Sequence, residues 1–185
     1  MTTAKTKLLT ADDLLRLHSK GVKGELIRGV LAETVATGVE HGKIAAKYTI
    51  RLGIFVEPRK LGTIVTSDSG VWVGRNPDTV REPDVAFTSA ERMPLDIRVP
   101  GYADVPPDLV VEIVSPSDSA QDVAEKITMW LNLGVSIALE VRPAEQAVLV
   151  HRPDVPAATL SGDDVLDCGD VLPGFTLPLG EVFDP

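Results

Sequence analysis

The sequence has 185 residues, enough for one domain with its own core, and its 44% hydrophobic and 24% charged residues exclude a disordered chain. The single cysteine, Cys168, excludes an intramolecular disulfide and a cysteine-rich zinc cluster. The net charge of −9 disfavours tight nucleic-acid binding by phosphate neutralisation alone, although a cation held by clustered carboxylates would supply positive charge beside a phosphate.

The N-terminal third predicts a helix, a hairpin and a longer helix. Thr10 is followed three residues later by Asp13, which is the capping-box spacing of a helix start. Residues 24–31 predict two short strands around a central turn. Apolar residues recur with a helical period over 41–56, and Pro58 ends that helix.

Strands dominate the middle of the chain. Short strands are predicted over 63–66, 70–73 and 85–87. Residues 89–107 are rich in proline and charge, which predicts a long loop of a kind that is often functional. The nearly continuous apolar run over 108–114 is typical of a central strand that is buried on both faces.

The C-terminal part predicts one more helix and two more strands. The helix spans 119–133 and ends at Gly134, and the strands span 136–141 and 147–151. The tail from Leu160 onward predicts short extended pieces and turns packed on the edge of the sheet.

The order of these elements predicts an α/β fold, a mixed β-sheet flanked by helices with an N-terminal helix and hairpin, in one domain over 1–185. Residues 1–9 are polar and lack the apolar centre of a signal peptide. The longest apolar runs, such as 109–111, fall far below membrane length. We therefore expect a cytoplasmic location.

Two carboxylates stand on predicted strands. Asp84 follows Pro83 and starts one apolar strand, whereas Glu112 lies in the middle of another. An ionised carboxylate in an apolar strand is costly unless it is paired or bound to a metal. Mg²⁺ suits a site with one or two carboxylates, and the carbonyl of Ile113 could be a further ligand. The alternatives are a turn role for Asp84, and for Glu112 a carboxylate that reaches solvent from a strand edge or pairs with an arginine.

Lys126 lies on the predicted helix, four residues after Asp122, so the two side chains share a face. A surface ion pair between them is the simpler interpretation. The functional alternative directs Lys126 over the end of the sheet towards Glu112. An ammonium group there could orient a water molecule and offset charge in the transition state of phosphodiester hydrolysis.

The motifs together resemble the bacterial family of putative restriction endonucleases, a domain of unknown function within the PD-(D/E)XK nuclease superfamily. The resemblance covers nearly the whole chain and implies a restriction-endonuclease-like fold. The matching residues, in chain order, are 24–29, His41, 82–84, 107–117, Asp122, Lys126, Gly134, Val135 and 172–175.

The resemblance implies a catalytic set of Asp84, Glu112 and Lys126. Asp84 matches the first acid of the superfamily motif and Glu112 the second. The lysine expected two residues later is replaced by Val114, and the family is similar to members whose lysine lies on the following helix, which makes Lys126 the candidate.

The resemblance also implies that Asp84 and Glu112 hold a metal, Mg²⁺ or Mn²⁺, and the Ile113 carbonyl completes the predicted metal site. Glu25 and His41 match further family positions and are candidate auxiliary residues, a supporting acid and a base at the edge of the site. The implied activity is endonucleolytic hydrolysis of DNA by a homodimer, and a smaller phosphodiester is a second possible substrate.

Two departures from the family pattern favour an alternative. The family's aspartate in its Glu-Leu-Ile-Asp-Gly block is Arg28 here, and residues 137–143 lack the acid, the aromatic pair and the final aspartate of Glu-Tyr-Trp-x-Val-Asp-Pro. Together with Val114 and the acidic net charge, they favour a catalytically inactive nuclease-fold module with a binding or regulatory role.

Overall fold

The computed structural model of the protein describes residues 7–34 and 36–184, so the first six residues of the polar N-terminal segment lie outside it. Backbone contacts divide the chain into two compact units. The first comprises the residues up to Ala36 with Asp68–Glu82 and Val99–Val105; the remainder, including everything from Pro106 onward, forms the second. The expectation of one domain over 1–185 stays a prediction.

The described chain contains both helices and strands, and most of the strands follow one another directly. The helices are α1 (Ala11–His18), α2 (Val39–Val56), α3 (Ala120–Leu133) and α4 (Gly180–Phe183). The strands are β1 (Gly24–Ile27), β2 (Val30–Glu33), β3 (Gly62–Thr66), β4 (Val71–Gly74), β5 (Thr79–Arg81), β6 (Val85–Ser89), β7 (Leu109–Ile113), β8 (Ile137–Arg142), β9 (Ala147–Arg152), β10 (Val155–Ser161), β11 (Val165–Asp167) and β12 (Thr176–Pro178). None of the helices in 7–34 and 36–184 combines the length and apolarity needed to cross a membrane.

The first unit contains α1 and a four-stranded sheet in the order β2-β1-β5-β4. The predicted capping box at the start of α1 is confirmed, because Thr10 accepts from the amide of Asp13 and the Asp13 carboxylate accepts from the amide of Thr10. The predicted β1–β2 hairpin is also confirmed. The strand β5 was not predicted, since three residues are too short to display an alternating pattern. A small core fills this unit and contains Ala11, Leu14, Leu26 and Val80.

The second unit is built on a six-stranded mixed sheet in the order β10-β9-β8-β7-β6-β3. The strands β7 and β8 run parallel and α3 forms the crossover between them, whereas the other neighbours are antiparallel. All five residues of β7 are buried, as predicted for a central strand. The predicted fold class, a mixed sheet flanked by helices, is confirmed.

The two faces of β7 differ in chemistry because successive side chains point to opposite sides of a strand. Leu109, Val111 and Ile113 belong to the main apolar core, which also contains the buried residues of α2. Glu112 points to the other face, where Lys126 and Trp130 of α3 contact its carboxylate. This face carries the candidate site.

The predicted short extended pieces of the tail are present as β11 and β12, but the prediction that the tail only packs on the sheet edge was wrong. Leu166, Leu172 and Leu177 are each 1% exposed and belong to the same core as α2 and β7. The glycines and aspartates of the tail indicate turns, but they hide the apolar residues between them, which fall at irregular spacings that no single period detects. The tail therefore supplies part of the core.

The buried position of the tail predicts a large effect of truncating Leu172. We expect Leu172→Ala to lower the free energy of unfolding by about 2–5 kcal/mol, the usual cost of a buried Leu-to-Ala change. Val165, which is 48% exposed in the same tail, is the control, and Val165→Ala should change stability by less than about 0.5 kcal/mol. Urea denaturation followed by circular dichroism measures both, and similar small losses in the two variants would contradict the core position.

Candidate active site

The ladder between β6 and β7 brings Asp84 and Glu112 together within the second unit. The antiparallel register pairs Val85 with Val111, so Asp84 and Glu112 are the next facing positions beyond that pair. Facing residues of an antiparallel pair point to the same side of the sheet, with Cβ atoms about 4.5–5.5 Å apart. Two acids that are distant in sequence thus meet at one end of the sheet.

The carboxylate of Asp84 is directed at the backbone of β7. Its Oδ2 accepts a hydrogen bond from the amide of Ile113 at 2.7 Å and lies 3.3 Å from Nε2 of His41. The Ile113 group that meets Asp84 is therefore its amide, while a ligand role for the Ile113 carbonyl stays a prediction. The side chain of Asp84 is 19% exposed, which leaves the carboxylate accessible.

The carboxylate of Glu112 is held on both oxygens by α3. Oε1 accepts from the indole Nε1 of Trp130 at 2.6 Å, and Oε2 lies 2.8 Å from Nζ of Lys126. Lys126 and Trp130 are four residues apart and share one face of the helix. A lysine, rather than the arginine considered from the sequence, is thus the cationic partner of Glu112.

Asp122 has contacts at the start of α3. Ser119 caps α3, and its hydroxyl donates to Oδ2 of Asp122 at 2.6 Å. Gly134 ends the helix in the left-handed region, with φ of 103°. Asp122 therefore contacts the helix cap, and Lys126 contacts Glu112 at 2.8 Å. The catalytic role of Lys126 stays a prediction.

His41 stands in the first turn of α2, beside Asp84. The hydrogen bond to Asp84 is the main cause that raises the pKa of His41 above its ordinary value of 6.5. Burial acts in the opposite direction, and the negative charges of Asp84, Asp118 and Glu112 add to the increase. The structure thus brings His41 to the predicted acids and adds Asp118 to their surroundings.

Sequence reasoning missed three contributors to this region. In the sequence, Trp130 looks like an ordinary core residue of a helix. Asp118 looks like a turn residue, and its carboxylate does accept a hydrogen bond from the Ser115 amide at 2.8 Å. Glu140 faces Glu112 in the parallel register between β7 and β8 and is 5% exposed. Only the register, which no local pattern encodes, reveals that Glu140 is a neighbour of Glu112.

Glu140 has two cationic or potentially cationic partners. Its Oε1 accepts from Nε of Arg142 at 2.7 Å, and its Oε2 lies 2.9 Å from Nε2 of His151. Arg142, Glu140 and His151 thus form a charge network on β8 and β9.

Glu25 lies in the first unit and contacts other residues there. Its Oε2 accepts from Nε of Arg81 at 2.9 Å and its Oε1 from the amide of Glu82 at 2.7 Å. These contacts fix the end of β5, just before the chain reaches Asp84. An auxiliary role of Glu25 in the site stays a prediction.

The donor set at the sheet end fits a hard divalent cation. Within residues 7–34 and 36–184, no group of three or more His, Cys, Asp or Glu side chains is arranged to hold a metal ion. Mg²⁺ does not require such a group, because it is bound through one or two carboxylates and keeps several of its waters. Asp84 and Glu112 supply two such carboxylates, at the positions that follow the last pair of the β6–β7 ladder.

A mixed sheet flanked by helices, with α3 crossing over between the parallel strands β7 and β8, is a restriction-endonuclease-like fold. The model of the Uma2 family, described as putative restriction endonuclease, matches residues 11–180, and the chain belongs to this family. The predicted family is therefore confirmed.

Among solved structures, the chain is similar to a putative nuclease belonging to DUF820 from Anabaena variabilis ATCC 29413. The TM-score is 0.81 at 21% identity, over 95% of this chain and 97% of that chain. This likeness confirms the predicted fold. No curated protein matches the chain.

The contact between His41 and Asp84 predicts a pH-dependent contribution to stability. Because the pKa of His41 is raised in the folded protein, the contribution is fully present below the unfolded value of 6.5 and is lost as pH rises through the folded pKa. We expect His41→Gln to lower the melting temperature most at acidic pH, with a difference from the natural protein that shrinks towards alkaline pH.

Thermal denaturation in the presence of a chelator, followed over a pH series, measures this difference. Asp84→Asn supplies the control background, in which His41→Gln should have the same effect at every pH because the main charged partner is gone. A pH-independent effect of His41→Gln in the natural background would contradict the assignment.

Proposed function

We propose that this protein is a Mg²⁺- or Mn²⁺-dependent endonuclease that hydrolyses phosphodiester bonds in DNA. The observation that carries the proposal is the 2.8 Å contact between Lys126 and Glu112, in a chain with valine at position 114. A lysine from α3 thus meets the acid that faces Asp84. Membership of a family described as putative restriction endonucleases supports the same activity.

Asp84 and Glu112 would hold the ion, with the carbonyl of Ile113 as a further ligand. The bound ion would polarise the phosphate and lower the pKa of a coordinated water. Hydrolysis forms a bond between the water oxygen and phosphorus, breaks one P–O ester bond, and transfers a proton to the leaving oxygen. In this proposal the negative charge of Asp84 and Glu112 would hold the ion beside the phosphate.

Lys126 is the third member of the catalytic set. Its ammonium group has three N–H donors, and the ion pair with Glu112 fixes its position. With a side chain that is 21% exposed, Lys126 can also donate to the attacking water or to a phosphate oxygen as negative charge develops. His41, 12% exposed beside Asp84, lies at the edge of the site and is the auxiliary base of the proposal.

The charge of the chain agrees with a metal-dependent mode of DNA binding. A net charge of −9 repels a polyanion, whereas a divalent ion between two carboxylates places positive charge where the scissile phosphate lies. We propose that DNA affinity depends on the ion. We also propose a homodimer, in which two sites address the two strands of a duplex.

One observation favours a second candidate function, a catalytically inactive nuclease-fold module. Glu140 lies next to Glu112 in the sheet, and its two carboxylate oxygens contact Arg142 and His151. This network stands in the strand that departs from the family pattern. Under this alternative the fold and the buried acids persist, while the protein binds a partner without hydrolysis.

Nicking of supercoiled plasmid tests the proposal. With Mg²⁺ or Mn²⁺ we expect the natural protein to nick the plasmid, and Asp84→Asn and Glu112→Gln to lower the rate at least about 100-fold. Loss of a residue that only supports a metal ligand lowers activity by up to about 100-fold, so loss of a ligand itself should cost at least that much. Both substitutions remove a charge and keep the shape of the side chain. Lys126→Met should lower the rate similarly.

Asp122→Asn is the matched control, because Asp122 is an exposed acid of α3 that contacts the cap residue Ser119. It should nick at the natural rate. Circular dichroism spectra must show that each variant is folded. Absence of metal-dependent nicking by the natural protein, or nicking that survives both acid substitutions, would contradict the proposal; metal binding without nicking would favour the inactive module.

A further inference from the structure

Trp130 is an aromatic residue of α3 that is buried completely. Its indole has one polar atom, the Nε1–H donor, and that donor meets Oε1 of Glu112 at 2.6 Å. A bond of this length to a carboxylate belongs to the strong, charge-assisted class. The only polar atom of this buried side chain therefore donates its hydrogen bond to the candidate metal ligand Glu112.

The terminal torsion of a glutamate side chain is soft, so a carboxylate on a strand does not fix its own plane. Donors on both oxygens remove this freedom. Trp130 holds Oε1 and Lys126 holds Oε2, from positions four residues apart on the same helix face. The two contacts together set the plane in which the carboxylate of Glu112 is presented.

The two donors differ in charge. Lys126 brings a positive charge that repels an approaching cation, whereas the indole is neutral and orients the acid without that penalty. A carboxylate oxygen can accept more than one contact, so the bond from Trp130 leaves Oε1 able to bind a cation. A neutral donor of fixed geometry suits the support of a metal ligand.

We propose that Trp130 is a positioning residue for Glu112, which orients this carboxylate for a divalent cation through the indole N–H. The inference rests on the proposed function, because it assumes that Glu112 is a metal ligand. The competing explanation is that Trp130 fills the space between α3 and the sheet and that its N–H contributes only to folding.

The two explanations differ in how metal binding affects the indole. The chain contains two tryptophans, Trp72 and Trp130, and Trp72 stacks with Arg75 in the first unit. A ¹⁵N–¹H correlation spectrum therefore shows two indole signals, and Trp72→Phe assigns them. We expect Mg²⁺ to shift the Trp130 signal in a saturable manner and to leave the Trp72 signal in place.

Calorimetry with Mn²⁺ measures the contribution to affinity. Trp130→Phe keeps the aromatic ring and removes the donor, and we expect it to weaken Mn²⁺ binding about tenfold, as for other supporting partners of metal ligands. Ile127→Val is the control, since Ile127 is 3% exposed on the same helix and its apolar side chain has no donor. This variant should bind Mn²⁺ with the natural affinity.

The outcomes separate the inference from the function on which it rests. If calorimetry shows that the natural protein binds Mg²⁺ and Mg²⁺ leaves the Trp130 signal unmoved, Trp130 is not a positioning residue. This result holds even if Trp130→Phe does not fold. A folded Trp130→Phe protein that binds Mn²⁺ as tightly as the natural protein also overturns the inference alone. Absence of Mn²⁺ binding to the natural protein overturns the proposed function as well.

Discussion

Glu112 is 7% exposed within the central strand β7. The negative charge of its carboxylate must therefore be balanced by neighbouring groups. Burial of an ionised group without partners costs several kcal/mol, and loss of one partner of a buried pair typically costs about 3–5 kcal/mol. Helix α3 meets this demand with an ion pair from Lys126 and a hydrogen bond from Trp130. The same demand explains why α3 covers this face of the sheet, while the apolar face of β7 is left to α2 and the tail.

The parallel register places Glu112 beside Glu140, and Asp84 directly precedes β6 at the same end of the sheet. The partners of these three acids distinguish them. Asp84 meets a backbone amide and His41, Glu112 meets a tryptophan and a lysine, and Glu140 meets an arginine and a histidine. Asp84 remains 19% exposed, whereas the side chain of Glu140 is 6% exposed beneath two partners. Asp84 is therefore the most accessible of the three acids, and the proposed cation would lie between Asp84 and Glu112.

Much of this arrangement could be predicted from local sequence patterns. The capping box of α1, the hairpin of β1 and β2 and the buried strand β7 each carry their signal within a few residues. Asp84 and Glu112 stand out because acids are costly in apolar strands. The strand β10 could not be predicted, because Pro156 argues against a strand and its residues are exposed at the edge of the sheet. The supporting roles of Trp130 and Glu140 depend on contacts between distant elements, and a local pattern does not encode these.

The central claim is that Asp84 and Glu112 share one divalent cation beside Lys126. The most direct test is an anomalous difference map from crystals of the natural protein grown with Mn²⁺. The account predicts a peak within about 2–2.5 Å of a carboxylate oxygen of both Asp84 and Glu112, the range of oxygen ligands to hard divalent cations. The claim would be contradicted if crystals saturated with Mn²⁺ showed no peak at this position. It would also be contradicted if the Mn²⁺ ion were bound only by other residues.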